Sequence, residues 1–366
     1  MLNKNWQIKL FPVIFLAGVG AFLTFQSAYA QQDSTRQLEI NGLPYAAYQP
    51  ETSVSFGIIS NFSFYPSPED VKASIVVAGI QYTLRNQYSA FSRYGIYLGG
   101  ERYFQQGEVR FNYYPDRYYG IGPQTTEDDR EDIAYNSLFL DHTGYRKIKS
   151  NVFAGLRARA YRRFNVEVPE ESDLIENNIP GVNGYTSIGI GPAFLLDTRD
   201  NLASTYTGTY LDINAVFHPG FLGNNYPFNR LRVDARHFIS LPQTRILAFQ
   251  FLGLFNTGGT PPFKEMAELG GRMIMRGFFL GRYRDNVLMA SQAEFRTPLF
   301  WRFGLVGFMA AGQVAPGLGE FNGPLQYAGG LGLRFTLNEK ERVKIRCDFA
   351  VGPGTTGLYF EINEAF

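Results

Sequence analysis

The chain is predicted to be all-β: a transmembrane antiparallel β-barrel of about 16 strands, of the outer-membrane type. Three observations predict it. Apolar and polar side chains alternate with a period of two along most of the chain. The first residues have the makeup of an export leader. Aromatic residues are abundant (33 Phe, 23 Tyr and 2 Trp), although the mean hydropathy is −0.17. Aromatic excess with a negative hydropathy is odd for a soluble core. It suits a barrel whose outer face meets lipid between aromatic girdles while its inner face stays polar.

Residues 1–30 read as a signal peptide. Lys4 and Lys9 give a positive start, Leu10 to Phe25 form an apolar stretch, and Ala28-Tyr29-Ala30 supplies the small-x-small pattern that a signal peptidase cuts after. The apolar run is about 16 residues, marginal for a spanning helix, and no cysteine follows it directly to carry a lipid anchor. Gln31 is the expected mature N-terminus. Residues 31–42 then form a short periplasmic segment, too small for a folded module, and 43–366 form the barrel.

Charge and cysteine use narrow the function classes. The 34 basic and 33 acidic side chains nearly cancel, whereas a nucleic-acid protein carries a strong basic excess; no nucleic-acid partner is expected. Cys347 is the sole cysteine, so an intramolecular disulfide is excluded despite the oxidising export route. With three histidines it leaves little material for a zinc or haem site. No cofactor or metal is expected.

Beyond residue 30 no stretch reaches the roughly 18 consecutive apolar residues of a spanning helix. Strand alternation recurs instead. In 342–351, Val343, Ile345, Cys347, Phe349 and Val351 alternate with Arg342, Lys344, Arg346, Asp348 and Ala350. In 230–239, Leu231, Val233, Ala235, His237 and Ile239 alternate with Arg230, Arg232, Asp234 and Arg236. In 152–162, Val152, Leu156 and three alanines oppose Arg157, Arg159 and Tyr161. A period of two places one set on each face of a strand. A soluble sandwich would also alternate, but these strands run to about ten residues or more, the length that crosses hydrocarbon at a tilt. Their polar face is heavily charged, and the chain is exported. In lipid every backbone amide must pair, so strands span only as a closed barrel without a free edge.

Sixteen strands are expected near 43–48, 53–64, 72–84, 90–99, 108–119, 132–142, 150–163, 185–197, 208–218, 229–240, 245–256, 286–297, 301–312, 325–337, 342–351 and 357–366. The third, sixth and eleventh alternate poorly. With both ends in the periplasm, the long connections 120–131, 164–184, 219–228 and 257–285 all face outside, and the short ones 143–149, 241–244, 298–300 and 338–341 face inside. That asymmetry is the outer-membrane pattern.

The sixth outer connection carries the most specific text: Gly270-Gly271-Arg272-Met273-Ile274-Met275-Arg276-Gly277-Phe278-Phe279-Leu280-Gly281-Arg282-Tyr283-Arg284-Asp285, followed by Glu294-Phe295-Arg296-Thr297-Pro298 on the next strand. This array resembles the BamA/TamA superfamily of outer-membrane assembly barrels (the bacterial surface antigen domain), whose signature is an Arg-Gly-Phe/Tyr tip after a double glycine and before a Glu-aromatic-Arg-x-Pro strand. Leu43-Pro44 with Tyr48-x-Pro50-Glu51-Thr52 looks like the family's first hairpin. Asp197-Thr198-Arg199-Asp200-Asn201, followed by Gly208, looks like its periplasmic turn. Phe360 and the final Phe366 look like the C-terminal insertion signal of outer-membrane barrels. The family barrel has sixteen strands, as counted here.

The glycines at 270, 271, 277 and 281 permit a tight loop that folds back into a crowded lumen. Arg276 would then meet a carboxylate there, and a guanidinium can bond one bidentately. By parity Glu294 faces inward with Gln292 and Arg296 and is the best partner. The resemblance implies a second partner, an aspartate in a Phe-x-Asp-x-Gly context on the following strand. Here that stretch reads Phe308-Met309-Ala310-Ala311-Gly312, so the lock is expected to be half-present. The family's assembly machines also carry periplasmic POTRA modules, and the short segment 31–42 implies a version without them.

Other candidates are weaker. Asp141 and His142 are adjacent in a strand, so they point to opposite faces and cannot form a dyad. His218 has no serine nucleophile near it on its face, and no Gly-x-Ser-x-Gly elbow exists; an enzyme is not expected. The acidic run 127–132 lacks the spacing of a calcium loop. Gly329, Gly330 and Gly332 precede no helix and are no phosphate loop. The inward arginines 157, 159, 230, 232, 236, 334 and 346 are expected to pair with lumenal acids such as Asp234, Glu294 and Asp348 rather than line an anion pore. Cys347 is expected to face lipid.

The resemblance implies a role in inserting or translocating proteins, or in moving lipid, at a seam between the first strand, 43–48, and the last, 357–366. A short first strand forms few ladder bonds. The partners implied are outer-membrane lipids, client outer-membrane or exported proteins, and the outer-membrane assembly machinery for the chain's own insertion. A passive outer-membrane channel and a structural surface-antigen barrel remain alternatives.

Overall fold

The computed structural model describes residues 38–67 and 72–366; the expected signal peptide 1–30 and most of the segment 31–42 lie outside the described residues. The strands are β1 (Glu39–Gln49), β2 (Ser53–Phe64), β3 (Ser74–Thr83), β4 (Tyr88–Leu98), β5 (Tyr103–Tyr118), β6 (Glu131–Lys149), β7 (Val152–Glu167), β8 (Tyr185–Asp197) and β9 (Gly208–His218). They continue as β10 (Phe228–Leu241), β11 (Arg245–Thr257), β12 (Ala267–Leu269), β13 (Tyr283–Asp285), β14 (Val287–Pro298), β15 (Phe303–Ala315), β16 (Gln326–Asn338), β17 (Val343–Gly352) and β18 (Thr355–Ile362). All but β12 and β13 form one closed antiparallel barrel, with β11 beside β14 and β1 beside β18. The sixteen-strand barrel predicted from periodicity is what the chain forms.

The period-two pattern works as argued. On β17, Arg346, Asp348 and Ala350 are buried in the lumen, while Cys347 and Phe349 are exposed on the outer face. Strands with poor alternation (β3, β6 and β11) are held by their neighbours: β6 pairs with both β5 and β7 along most of its length. Such pairing overrides weak local preference. The inward arginines form ionic contacts rather than an open cationic lining. Arg157 binds Asp141 at 2.9 Å, Arg236 binds Asp234 at 2.7 Å, and Arg230 binds Glu265 at 2.6 Å.

Four strands differ from expectation at their ends. β5 and β6 extend beyond 108–119 and 132–142 at their periplasmic ends, β5 starting at Tyr103 and β6 running on to Lys149. β1 spans 11 residues and begins at Glu39, so the first strand is not short and 39–42 belong to the barrel. β18 stops at Ile362 instead of running to Phe366. Asn363 turns the chain with φ 67°, and Ala365 and Phe366 pack inside against Phe238 and Ala248. Strand parity explains the turn: continued as a strand, Glu364 would share the lipid face with Phe360 and Ile362. Turned inward, it meets Arg334 at 2.7 Å and Lys344 at 3.3 Å. Burial opposes the Glu364 charge, yet Arg334, Arg296 and Lys344 outweigh it and hold the carboxyl below its usual range.

The seam is weak for a different reason from the one the sequence supplied. β1 pairs with β2 along all of its residues, Glu39 to Gln49. Against β18 its register holds a single pair, Tyr48 with Phe360. The inward turn after Ile362 removes the segment that, in this register, would have faced Gly42 to Tyr45. A closed barrel of this kind should resist detergent until heated. Unboiled protein is expected to migrate apart from boiled protein on a denaturing gel, and identical migration of the two samples would contradict closure.

Candidate functional site: loop six and the seam

The connection between β11 and β14 is a structured insertion into the lumen. Its base is the hairpin β12–β13, which pairs Ala267 with Asp285 and Leu269 with Tyr283; the sequence had suggested only an irregular loop. Within it Arg284 is fully buried, 3.2 Å from Glu268, and its carbonyl accepts from Gly122 N–H at 2.7 Å. Asp285 is buried and caps the backbone N–H of Asn286 at 2.8 Å. Gly270 (φ 116°) starts the tip, and a Cβ there would lie 2.3 Å from the Phe279 carbonyl oxygen. Gly271 and Gly281 help close it: the N–H of Gly271 donates to the Phe278 carbonyl, and that of Gly281 to the Leu269 carbonyl.

Apolar packing seats the tip. Ile274, Met275 and Phe278 bury against Leu288, Ala290, Ala310, Val314 and Ala328 on the inner faces of β14, β15 and β16. Burying a side chain such as Phe278 contributes about 1.5–3 kcal/mol. Small residues make this approach close. At Gly277 (φ 108°) a Cβ would touch the Cβ atoms of Ala350 and Ala328 at 3.5 and 3.6 Å.

Arg276 is 1% exposed. Its Nη1 donates to Asp348 Oδ2 at 2.6 Å, its Nη2 donates to Glu294, and its guanidinium lies 3.6 Å from the Phe308 ring. Glu294 is the carboxylate that parity placed on the inner face, and it meets Arg276 here. The expected second carboxylate is absent because Ala310 stands where the resemblance placed an aspartate. The structure corrects the half-lock: Ala310 joins the apolar seat, and Asp348 of β17 provides the second acid. Asp348 reaches inward across Gly332, where a Cβ would sit 2.0 Å from Oδ1. Parity had shown Asp348 on the inner face. Parity cannot show that the loop tip spans from β14 to β17.

Both carboxylates are shared. Glu294 also accepts from Arg296 at 2.8 Å, and Asp348 from Arg334 at 2.5 Å and Arg346 at 3.2 Å. Arg296 in turn donates to the backbone oxygen of Phe366 at 3.1 Å, so the inward C-terminal residue joins the same network. Phe366 is therefore not on the lipid face where the insertion-signal reading puts it; Phe360 is, at the seam.

Loop six also ties the two seam strands. On the β18 side, Arg272 binds Glu361 at 2.8 Å, Gly277 N–H donates to the Tyr359 hydroxyl at 3.0 Å, and Thr355 donates to the Gly277 carbonyl at 2.6 Å. On the β1–β2 turn, buried Glu51 accepts from Leu280 N–H at 2.8 Å. Nothing in the sequence signalled this role for Glu51 beyond its place in the hairpin motif.

The periplasmic turn motif forms a second clamp. Arg199 binds Asp197 at 2.7 Å, and Asn201 Oδ1 accepts from the N–H groups of Ala203 and Ser204. Asp200 binds Arg342, on the β16–β17 turn, at 2.6 Å. The motif thus crosses between distant turns of the same barrel end. The rejected dyad stays apart, with Asp141 inside on Arg157 and His142 on Tyr94 at 2.7 Å. His218 is buried against Phe228.

Residues 80–366 match the Omp85 superfamily domain. No curated protein sequence matches the chain. Among solved structures, BamA from Haemophilus ducreyi lacking POTRA domains 1–3 superposes with a TM-score of 0.59 at 12% identity, covering 90% of this chain and 70% of that one. CdiB from Acinetobacter baumannii gives 0.57 at 12% identity, over 90% and 65%. CdiB from Escherichia coli gives 0.55 at 10%, over 90% and 67%. The chain spans about two thirds of the length of these proteins and shares their fold.

Removing one member of a buried ion pair costs about 3–5 kcal/mol. Asp348→Ala and Glu294→Ala are each expected to lower the temperature at which the heat-shifted gel band appears. Because both acids serve one guanidinium, the double variant should lose less than the two losses combined. Independent, fully additive losses would show that Arg276 does not join them.

Proposed function

Since the chain belongs to the Omp85 superfamily, we propose that it helps to insert or translocate proteins, or to move lipid, at the outer membrane through its β1–β18 seam. One observation carries this reading. The β1–β18 joint is by far the most sparsely paired of the barrel: Tyr48 and Phe360 form the only registered pair there among the described residues, while the flanking β17–β18 joint holds eight and even the interrupted β8–β9 joint holds six. A joint with one pair opens at little cost in ladder bonds. An opened β1 edge would present backbone donors and acceptors on which an extended client segment can add as a strand. The same opening would give lipid a polar path beside the lumen, eased by local thinning of the bilayer.

The partners of this reading are outer-membrane lipids and client outer-membrane or exported proteins. The outer-membrane assembly machinery is expected to insert the chain itself, with Phe360 as the aromatic of the terminal strand. A passive channel would need an open lumen, whereas here the tip of loop six packs on the inner faces of β14 to β16 and Ala365 and Phe366 pack inside against Phe238 and Ala248. That inward packing favours a gated seam over steady conduction.

Cysteines at Tyr48 and Phe360 would lock the seam with a disulfide. Cys347 sits opposite Phe360 on β17 and must first be replaced by serine so that it does not capture the new thiol. The locked protein is expected to fail to complement a deletion strain, whose outer-membrane barrels or lipids change in abundance; reduction should restore it. Full complementation with the disulfide intact would remove the seam from the mechanism.

A further inference from the structure

At the periplasmic end of the lumen lies a cavity of about 110 Å³ bounded by Arg296, Arg334, Lys344 and Glu364, with Trp301 and Gly304 at its rim. Gly304 faces Arg334 across the β15–β16 register and leaves this inner position without a side chain. Arg296 and Arg334 are each 3% exposed. Yet Arg296 Nη1 and Arg334 Nη2 donate to no group among the described residues. Buried guanidinium N–H groups without acceptors are costly, more so than neutral donors. Lys344 Nζ adds a third donor, with one long bond to Glu364 at 3.3 Å.

Charge points the same way. Arg276, Arg296, Arg334, Lys344 and Arg346 are linked through three side-chain carboxylates, those of Glu294, Asp348 and Glu364, and through the terminal carboxylate of Phe366 on Arg296, which leaves five cations against four anions. The cluster therefore has an uncompensated positive charge in a partly dehydrated site, where an anion gains more than it would in water. Guanidinium and ammonium groups from β14, β16 and β17 lining one recess suit the oxygens of a phosphate.

We propose that this cavity binds one phosphate or phosphoester anion, with Glu364 of the inward tail as its built-in competitor. Two sources share that chemistry: free phosphate esters in the periplasm, and phospholipid headgroups of the periplasmic leaflet. The rim fits the second. Trp301 is 79% and Phe300 68% exposed on the β14–β15 turn, the composition that settles at a headgroup interface. A basic recess beside it would meet headgroups.

The full-length protein in neutral detergent micelles, titrated with phosphatidylglycerol, with a diacylglycerol of the same chains, and with glycerol phosphate, tests this by native mass spectrometry. One phosphatidylglycerol is expected to be retained in preference to diacylglycerol. Lys344→Gln should weaken retention, and Glu364→Gln should strengthen it, each by roughly fivefold, the scale of one charged hydrogen bond. Both variants keep Arg296 and Arg334 and their bonds to the loop-six acids Glu294 and Asp348; the heat-shifted gel band reports their folding. Glycerol phosphate binding as well as the lipid would identify the free ester as the ligand, and lipid binding alone would identify the headgroup. Equal retention of phosphatidylglycerol and diacylglycerol without glycerol phosphate binding, or folded variants that both bind as the parent does, would overturn the site. Neither result bears on whether the seam opens.

Discussion

A guanidinium with no access to water cannot stay in a barrel unless carboxylates meet it, and Arg276 is such a group. Its position between Glu294 and Asp348 fixes where the tip of loop six must lie. The surrounding small residues follow from that requirement. Gly332 lets Asp348 extend, Ala328 and Ala350 admit the Gly277 backbone, and Ala310 keeps the seat apolar. A larger residue at any of these positions would force the cation away from its acids.

Once the tip is fixed, it does what the backbone ladder does not do at the seam. Arg272, Gly277 and Leu280 of one loop hold β18 and the β1–β2 turn through side chains. Closure by a few side-chain bonds differs from closure by a ladder, because such bonds can be exchanged without unfolding a strand. The shared acids extend the connection further. Arg296 links Glu294 to the Phe366 backbone, and Arg334 links Asp348 to Glu364. The outer plug, the seam strand and the inward tail are thus parts of one contiguous ionic cluster.

Much of this was legible in the residues. A period of two, visible in 342–351 and 230–239, set which side chains face lipid, and the number and order of the sixteen barrel strands match the expectation, while the ends of β1, β5, β6 and β18 do not. The Arg276–Glu294 pair followed from parity as well. Three features were hidden because they depend on distances around the cylinder rather than along the chain. Asp348 replaces the acid expected at position 310, from a different strand. Glu51 reaches loop six from the far side of the seam. Asp200 meets Arg342 across the periplasmic mouth. The tail after Ile362 misled in another way: Phe366 has the makeup of a strand end, but Glu364 favours the inner cations over the lipid face, and the chain follows the charge.

Amide hydrogen exchange at Gly277 and Leu280 tests most directly whether the buried arginine fastens the loop. The N–H groups of these residues donate to Tyr359 and Glu51. Both should exchange slowly in the intact protein and accelerate together in Arg276→Ala, while the β10–β11 ladder is unchanged. Exchange in the intact protein as fast as in an unstructured loop, or identical rates with and without the guanidinium, would contradict the account.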